Sequence, residues 1–243
     1  MSHADKHPFG MEHGKIGNRI AVVLHGKQIY KSYYKPTNPR TPKQQMHRAK
    51  IAFINRLAKD LADAVNIGFL MVPKKDSGLS PRNAFVKKNW NNGALVWLEN
   101  DPDQTNNASD ESLSGEWGVC PERLCLADGP RFIAPDMRAE VRDGRLHISC
   151  PTPGLRESNA VSDDQLLVAV YRPAVHIVHL LKGPMRDKCD ECDFALPSDV
   201  GGEDDPLHVY AWFQATAYHC ADDKKNVSPN QASPSLYLGN FTI

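Results

Sequence analysis

Cys189-Asp-Glu-Cys192 has the two-residue spacing of half a zinc site. Cys120 and Cys125, with four residues between them, offer a second pair, and His219-Cys220 a further ligand. A structural zinc takes four ligands, so two separated pairs suit one. The Cys120 pair is too widely spaced for a standard knuckle and has no glycine turn beside it. The competing reading is a turn that carries reduced thiols. That reading is the expectation, with no cofactor, and zinc on Cys189, Cys192, Cys120 and Cys125 is the alternative.

Other reactive residue types do not assemble into a reaction motif. The chain has neither G-x-S-x-G nor H-E-x-x-H. His176 and His179 are three apart on a predicted strand, so their side chains face opposite sides. Glu203-Asp204-Asp205 reads as a solvated turn, because nothing near it pushes the acid pKa values apart. Gly26-Lys27 follows a strand as a phosphate loop would. The pattern, however, needs glycine where Ala21 stands and a hydroxyl where Gln28 stands. The expectation is a protein without catalytic activity.

Charge is the strongest signal. The 243 residues carry 29 Lys and Arg against 29 Asp and Glu, a net charge of zero. Residues 1–90 nevertheless hold 17 basic against 5 acidic side chains, and residues 91–243 hold 12 against 24. The split implies two units with different partners, or two units that attract each other. Arg40, Lys43, Arg48 and Lys50 cluster in the basic part, and Tyr30 and Tyr33 are placed to stack on bases. These six residues define a candidate nucleic-acid surface. The opposing reading is a solvated or protein-docking basic face.

Local patterning says which elements must carry these groups. Ile20–Leu24 and Gln28–Tyr34 flank Gly26 as a β-hairpin. Thr41, Pro42 and Gln44 begin a helix as N-cap, N1 and N3 of a capping box. Met46, Ala49, Phe53, Leu57, Leu61 and Val65 then form one apolar face, which predicts a helix from about 42 to 66 with Gly68 near its stop. Ser80-Pro81 starts a second helix, and Asn91-Asn92-Gly93 ends it. Residues 99–116 are polar and acidic and read as a linker or loop. Strands follow at Ala139–Val141, Arg145–Cys150, Leu166–Tyr171, Val175–Leu181, His208–Thr216 and Leu236–Ile243, the first two joined by Asp143-Gly144. Trp212 and Phe213 are adjacent on one strand, so both of its faces carry an aromatic ring.

These elements predict an α+β protein. Residues 1–98 form a small basic hairpin-plus-helices unit, and residues 99–116 link it to an antiparallel immunoglobulin- or fibronectin-like β-sandwich over 117–243. No apolar run reaches the ~20 residues of a membrane span. The first fifteen residues have no apolar core of a leader, so the expected location is the cytoplasm, with reduced thiols.

Gly14-Lys-Ile-Gly-Asn18, Gly26-Lys27 and Asn38-Pro-Arg-Thr41-Pro-Lys-Gln44-Gln-Met-His-Arg48-Ala-Lys50 resemble the N-terminal signature of a family of uncharacterised bacterial proteins. Ser233-Pro-Ser-Leu-Tyr237-Leu-Gly239 loosely matches that family's closing motif. The acidic insert at 99–116 and the Cys189–Cys192 pair depart from its pattern. The resemblance spans most of the chain and implies no activity. Asn38-Pro-Arg-Thr41 is also similar to the arm tip of histone-like DNA-bending proteins, but here it leads into a helix. The expected function is a non-enzymatic protein-interaction or assembly module, with a protein partner or a second copy bound. Sequence-independent nucleic-acid binding is the alternative.

Overall fold

A computed structural model describes residues 2–4, 12–24, 26–34, 41–70, 79–99, 115–151, 157, 160–196, 206–215 and 232–242. The chain forms two compact units, Met1–Thr41 and Pro42–Ile243.

The first unit is a four-stranded antiparallel sheet. Its strands are β1 (Ser2–Ala4), β2 (Gly14–Ile16), β3 (Arg19–Leu24) and β4 (Lys27–Ser32), in the order β1-β4-β3-β2. Two-residue turns join β2 to β3 and β3 to β4, with Ile16 opposite Arg19 and Leu24 opposite Lys27. Such turns need positive φ, which Gly17 (+57°) and Gly26 (+76°) supply. The hairpin around Gly26 is the one its residues predict.

The second unit carries α1 (Pro42–Asp60), α2 (Ala62–Gly68) and α3 (Pro81–Asn89), then β5 (Leu95–Glu99) and β6 (Gly115–Val119). Seven further strands follow: β7 (Arg138–Arg142), β8 (Arg145–Ser149), β9 (Asp164–Arg172), β10 (Ile177–Met185), β11 (Glu191–Ala195), β12 (Leu207–Ala215) and β13 (Leu236–Phe241). They pair as β10-β9-β12-β13 and as β11-β8-β7, all antiparallel. The fold class is α+β with antiparallel sheets, as expected.

The helix predicted over 42–66 bends at Leu61, whose φ and ψ of −94° and 18° leave the α region. The hydrogen bonds Leu61 N to Leu57 O and Val65 N to Leu61 O, both 2.9 Å, carry the chain through the bend. Helix α3 starts where Ser80 Oγ accepts from Asn83 N, with Pro81 in its first turn.

Strands β9 and β12 have no polar face. Leu167, Ala169, Tyr171, Tyr210 and Trp212 pack on one side with Ile54, Leu57, Leu61, Val65, Phe69 and Phe85 of the helical region. Leu166, Val168, Val170, Val209, Ala211 and Phe213 pack on the other with Leu146 and Ile148 of β8 and Cys192 and Phe194 of β11. Helices, four-stranded sheet and three-stranded sheet therefore form successive layers. Trp212 and Phe213 are both 0% exposed, each in its own core. A strand covered on both faces reads as a continuous apolar run, as both do. Strands β8 and β11 are covered on one face and alternate.

The unit boundary falls at 41/42, where the sequence suggested 98 and 117. The reason is the second apolar face of β9 and β12, which the amphipathic helices cover. The acidic segment is likewise placed differently. Leu95 pairs with Val119 and Glu99 with Gly115, so residues 100–114, outside the described set, join two paired strands.

Candidate functional site

Helix α1 presents Phe53, Arg56, Leu57 and Asp60, at helical spacing, to one groove. Across from them stand Glu116, Gly118 and Val119 of β6, Tyr171 at the end of β9, and Pro173, Ala174 and His176 of the β9–β10 turn. The cavity is about 320 Å³, within the range of small-ligand and peptide-anchor pockets. Leu57 and Tyr171, 3% and 1% exposed, form an apolar floor. A second cavity of about 300 Å³ adjoins the first across Phe53, Arg56 and Glu116 and extends the groove to Ala49, Ala52, Trp97 and Trp117.

The rim carries both charges. His176 Nδ1 stands 3.5 Å from Asp60 Oδ2. His176 holds φ at +56°, a left-handed backbone conformation uncommon outside glycine, though histidine adopts it more readily than most residues. The Arg56 guanidinium lies 5.7 Å from the Phe53 ring. Trp97 and Trp117 meet edge to face at 5.5 Å, and Trp117 Nε1 donates to Met46 O at 3.3 Å. The β5–β6 hairpin is thereby fastened along α1.

The six residues of the sequence-derived nucleic-acid surface are not equivalent. Arg40 lies outside the described residues. Tyr30 and Tyr33 belong to the first unit, and Lys43, Arg48 and Lys50 to the second. Tyr30 donates its hydroxyl to Glu12 Oε2 at 2.8 Å, which raises its pKa. The Lys15 ammonium caps the Tyr33 ring at 3.8 Å from its centroid. Lys43 and Arg48 are exposed on α1. Lys50 is turned inward: its ammonium donates to Trp90 O at 2.8 Å and sits 4.6 and 4.9 Å from the Trp90 and Trp117 rings. It fastens α1 to the end of α3 and to β6.

The four proposed zinc ligands are not brought together. Cys125 packs against the core beneath the helices. Its thiol donates to Ala127 O at 3.1 Å, and burial pushes its pKa up. Cys120 N donates to Ala94 O, a residue of the same core. Cys189 and Cys192 lie in the core on the other side of the four-stranded sheet. Spacing within each pair does not say on which side of a distant sheet that pair packs, so two plausible pairs separate. Among the described residues, no group of three or more His, Cys, Asp and Glu is arranged to hold a metal. His219, Cys220 and Glu203–Asp205 lie outside the described residues. His176 precedes β10 rather than lying on it.

Sequence reasoning missed the groove and a buried ion pair. The four groove residues of α1 lie beside its apolar stripe, and that spacing was the available signal. Arg186 and Asp164, both with 0% exposed side chains, meet at 3.3 Å. Arg186 also donates to Phe132 O at 2.8 Å and lies 3.6 Å from the Phe213 ring centroid. Burial lowers its pKa, opposed by Asp164. No family model, no curated protein and no solved structure matches the chain.

Proposed function

We propose that the chain is a non-enzymatic binding protein whose groove beside α1 takes a short segment of a partner protein, anchored by an apolar side chain. The observation that carries this reading is the groove's composition: an apolar floor between Leu57 and Tyr171, an aromatic end at Trp97 and Trp117, and a rim of Arg56, Asp60, Glu116 and His176. An apolar anchor suits the floor, and flanking residues of either charge suit the rim. The His176–Asp60 pair has no serine, threonine, cysteine or lysine among the described lining residues to activate. It orients a bound segment.

The scaffold for this reading is an immunoglobulin/fibronectin-like sandwich built from β7 to β13. In chain order, the first, second and fifth of these strands make one sheet, and the third, fourth, sixth and seventh make the other. Crossing between sheets in this way is the Greek-key habit of such sandwiches. The helices then cover a face that a free-standing sandwich would leave to solvent.

Peptide-display selection on the full chain tests the function, with a Phe53→Asp variant of unchanged melting temperature as the counter-target. Enriched peptides should share an aromatic or large aliphatic anchor and bind the variant at least tenfold more weakly, about 1.4 kcal/mol. No enrichment over the variant overturns the reading. The alternative, nucleic-acid binding through Lys43 and Arg48, replaces it if a labelled ~20-mer duplex binds, releases steeply with salt, and is lost on Lys43→Ala plus Arg48→Ala.

A further inference from the structure

Three buried thiols converge on one turn at the edge of the sandwich core. Cys150 follows β8, and its N–H donates to Asp190 O at 2.8 Å, which sets it beside the chain leading into β11. Cys189 follows the helical turn Arg186–Lys188, and its thiol donates to Arg186 O at 3.1 Å. Cys192 donates its thiol to Cys189 O at 3.5 Å. Cys150 and Cys189 are both 0% exposed and lie in one core. The Cys150 thiol beside it, helped by the Arg186 guanidinium, lowers the Cys189 pKa against the effect of burial. The Cys189 thiol and burial raise that of Cys150. Burial holds Cys192 at about 12.

We propose that Cys150 and Cys189 are a reversible redox pair that closes to a disulfide with a small-molecule disulfide as oxidant, tying the end of β8 to the turn before β11. Cys189 is the attacking sulfur. Its thiolate displaces one thiolate from the oxidant and forms a mixed disulfide, and the released thiolate takes up a proton. Cys150 then loses its proton to solvent, attacks Cys189 Sγ and displaces the second thiolate. Two protein thiols are oxidised, and one small disulfide is reduced to two thiols. Cys192 stays reduced, because its thiol is directed at the Cys189 carbonyl rather than at a second sulfur.

Both sulfurs are covered, so the Arg186–Lys188 turn must open before the oxidant reaches Cys189. Asp187, Lys188 and Asp190 around it are exposed, and the opening must also release Arg186 from Asp164. The bond closes a loop of about 40 residues that contains β9 and β10, and it restricts the unfolded chain. The pair is independent of the groove beside α1.

Incubation of the full chain with excess oxidised glutathione, digestion without reduction and mass spectrometry tests the proposal. The expected product joins the Cys150 and Cys189 fragments, is released by dithiothreitol, and forms equally in Cys192→Ser. The melting temperature should rise by about 5 °C on closure and return on reduction. A Cys189–Cys192 bond overturns the proposal. So does a Cys189–glutathione adduct that persists beside free Cys150. So does a map in which both stay reduced after brief warming has made them reactive to a maleimide. The wild-type map decides even where Cys150→Ser fails to fold.

Discussion

Lys50 and Lys43 stand on one helix, seven residues apart, and do different work. The Lys50 ammonium bonds Trp90 O and lies against two indole rings, while Lys43 projects into solvent. A hydrogen bond from a charged donor and a partly desolvated cation–π contact together contribute about 1–2 kcal/mol. Lys50→Ala should therefore lower the urea-unfolding free energy by about that amount. Lys43→Ala should change it by less than about 0.5 kcal/mol. Equal effects would show that the indole clamp contributes nothing. In sequence the two residues are both charged positions at the start of an amphipathic helix. What separates them is the presence of Trp90 and Trp117, which arrive from 40 and 67 positions away.

At the scale of elements, α2 is stopped by proximity. Its last residue, Gly68, has no Cβ, and one placed there would stand 2.2 Å from Leu126 O and 2.8 Å from Ala127 Cβ. The Gly68 carbonyl accepts from Asp128 N at 3.2 Å, so this backbone is held where it is. Gly144 contrasts with it. Its φ of +68° favours glycine, but the space around it is open. Gly68→Ala should destabilise by about 3 kcal/mol through overpacking, and Gly144→Ala by about 1 kcal/mol through backbone strain. Thermal melts of the two variants order these costs, and the reverse order would refute the close approach at Gly68. The hairpin turn at Asp143-Gly144 was legible because its residues act locally. The β5–β6 pair was not, because an acidic run separates its strands.

For the molecule as a whole, both cores are built from residues after 41, and the core beneath the helices joins residues on either side of 98 to 117. Residues 42–243 expressed alone should fold cooperatively, with a melting temperature within a few degrees of the full chain. Residues 117–243 alone should not, because Leu167, Tyr171 and Trp212 would lose their helical cover. A Trp-sized loss of burial costs about 3–5 kcal/mol by itself, against a typical total of about 5–15 kcal/mol. A sharp melt of 117–243 would restore the boundary that charge and composition suggested. The oppositely charged halves are in contact within the second unit, as at Lys88 and Asp128, 2.8 Å apart.

The sequence alone determined the features that depend on neighbours along the chain. Among them are the turn at Gly26, the helix starts at Pro42 and Ser80-Pro81, the Asp143-Gly144 hairpin and the antiparallel strands after it. It also showed that β12 carries apolar rings on both faces. Tertiary structure alone decided what covers those faces, which thiols meet, and which lysine turns inward. It also decided where α1, β6 and the His176 turn leave a groove. Each of these depends on distant segments packing face to face. A residue's spacing sets the side it points to, but not what lies there.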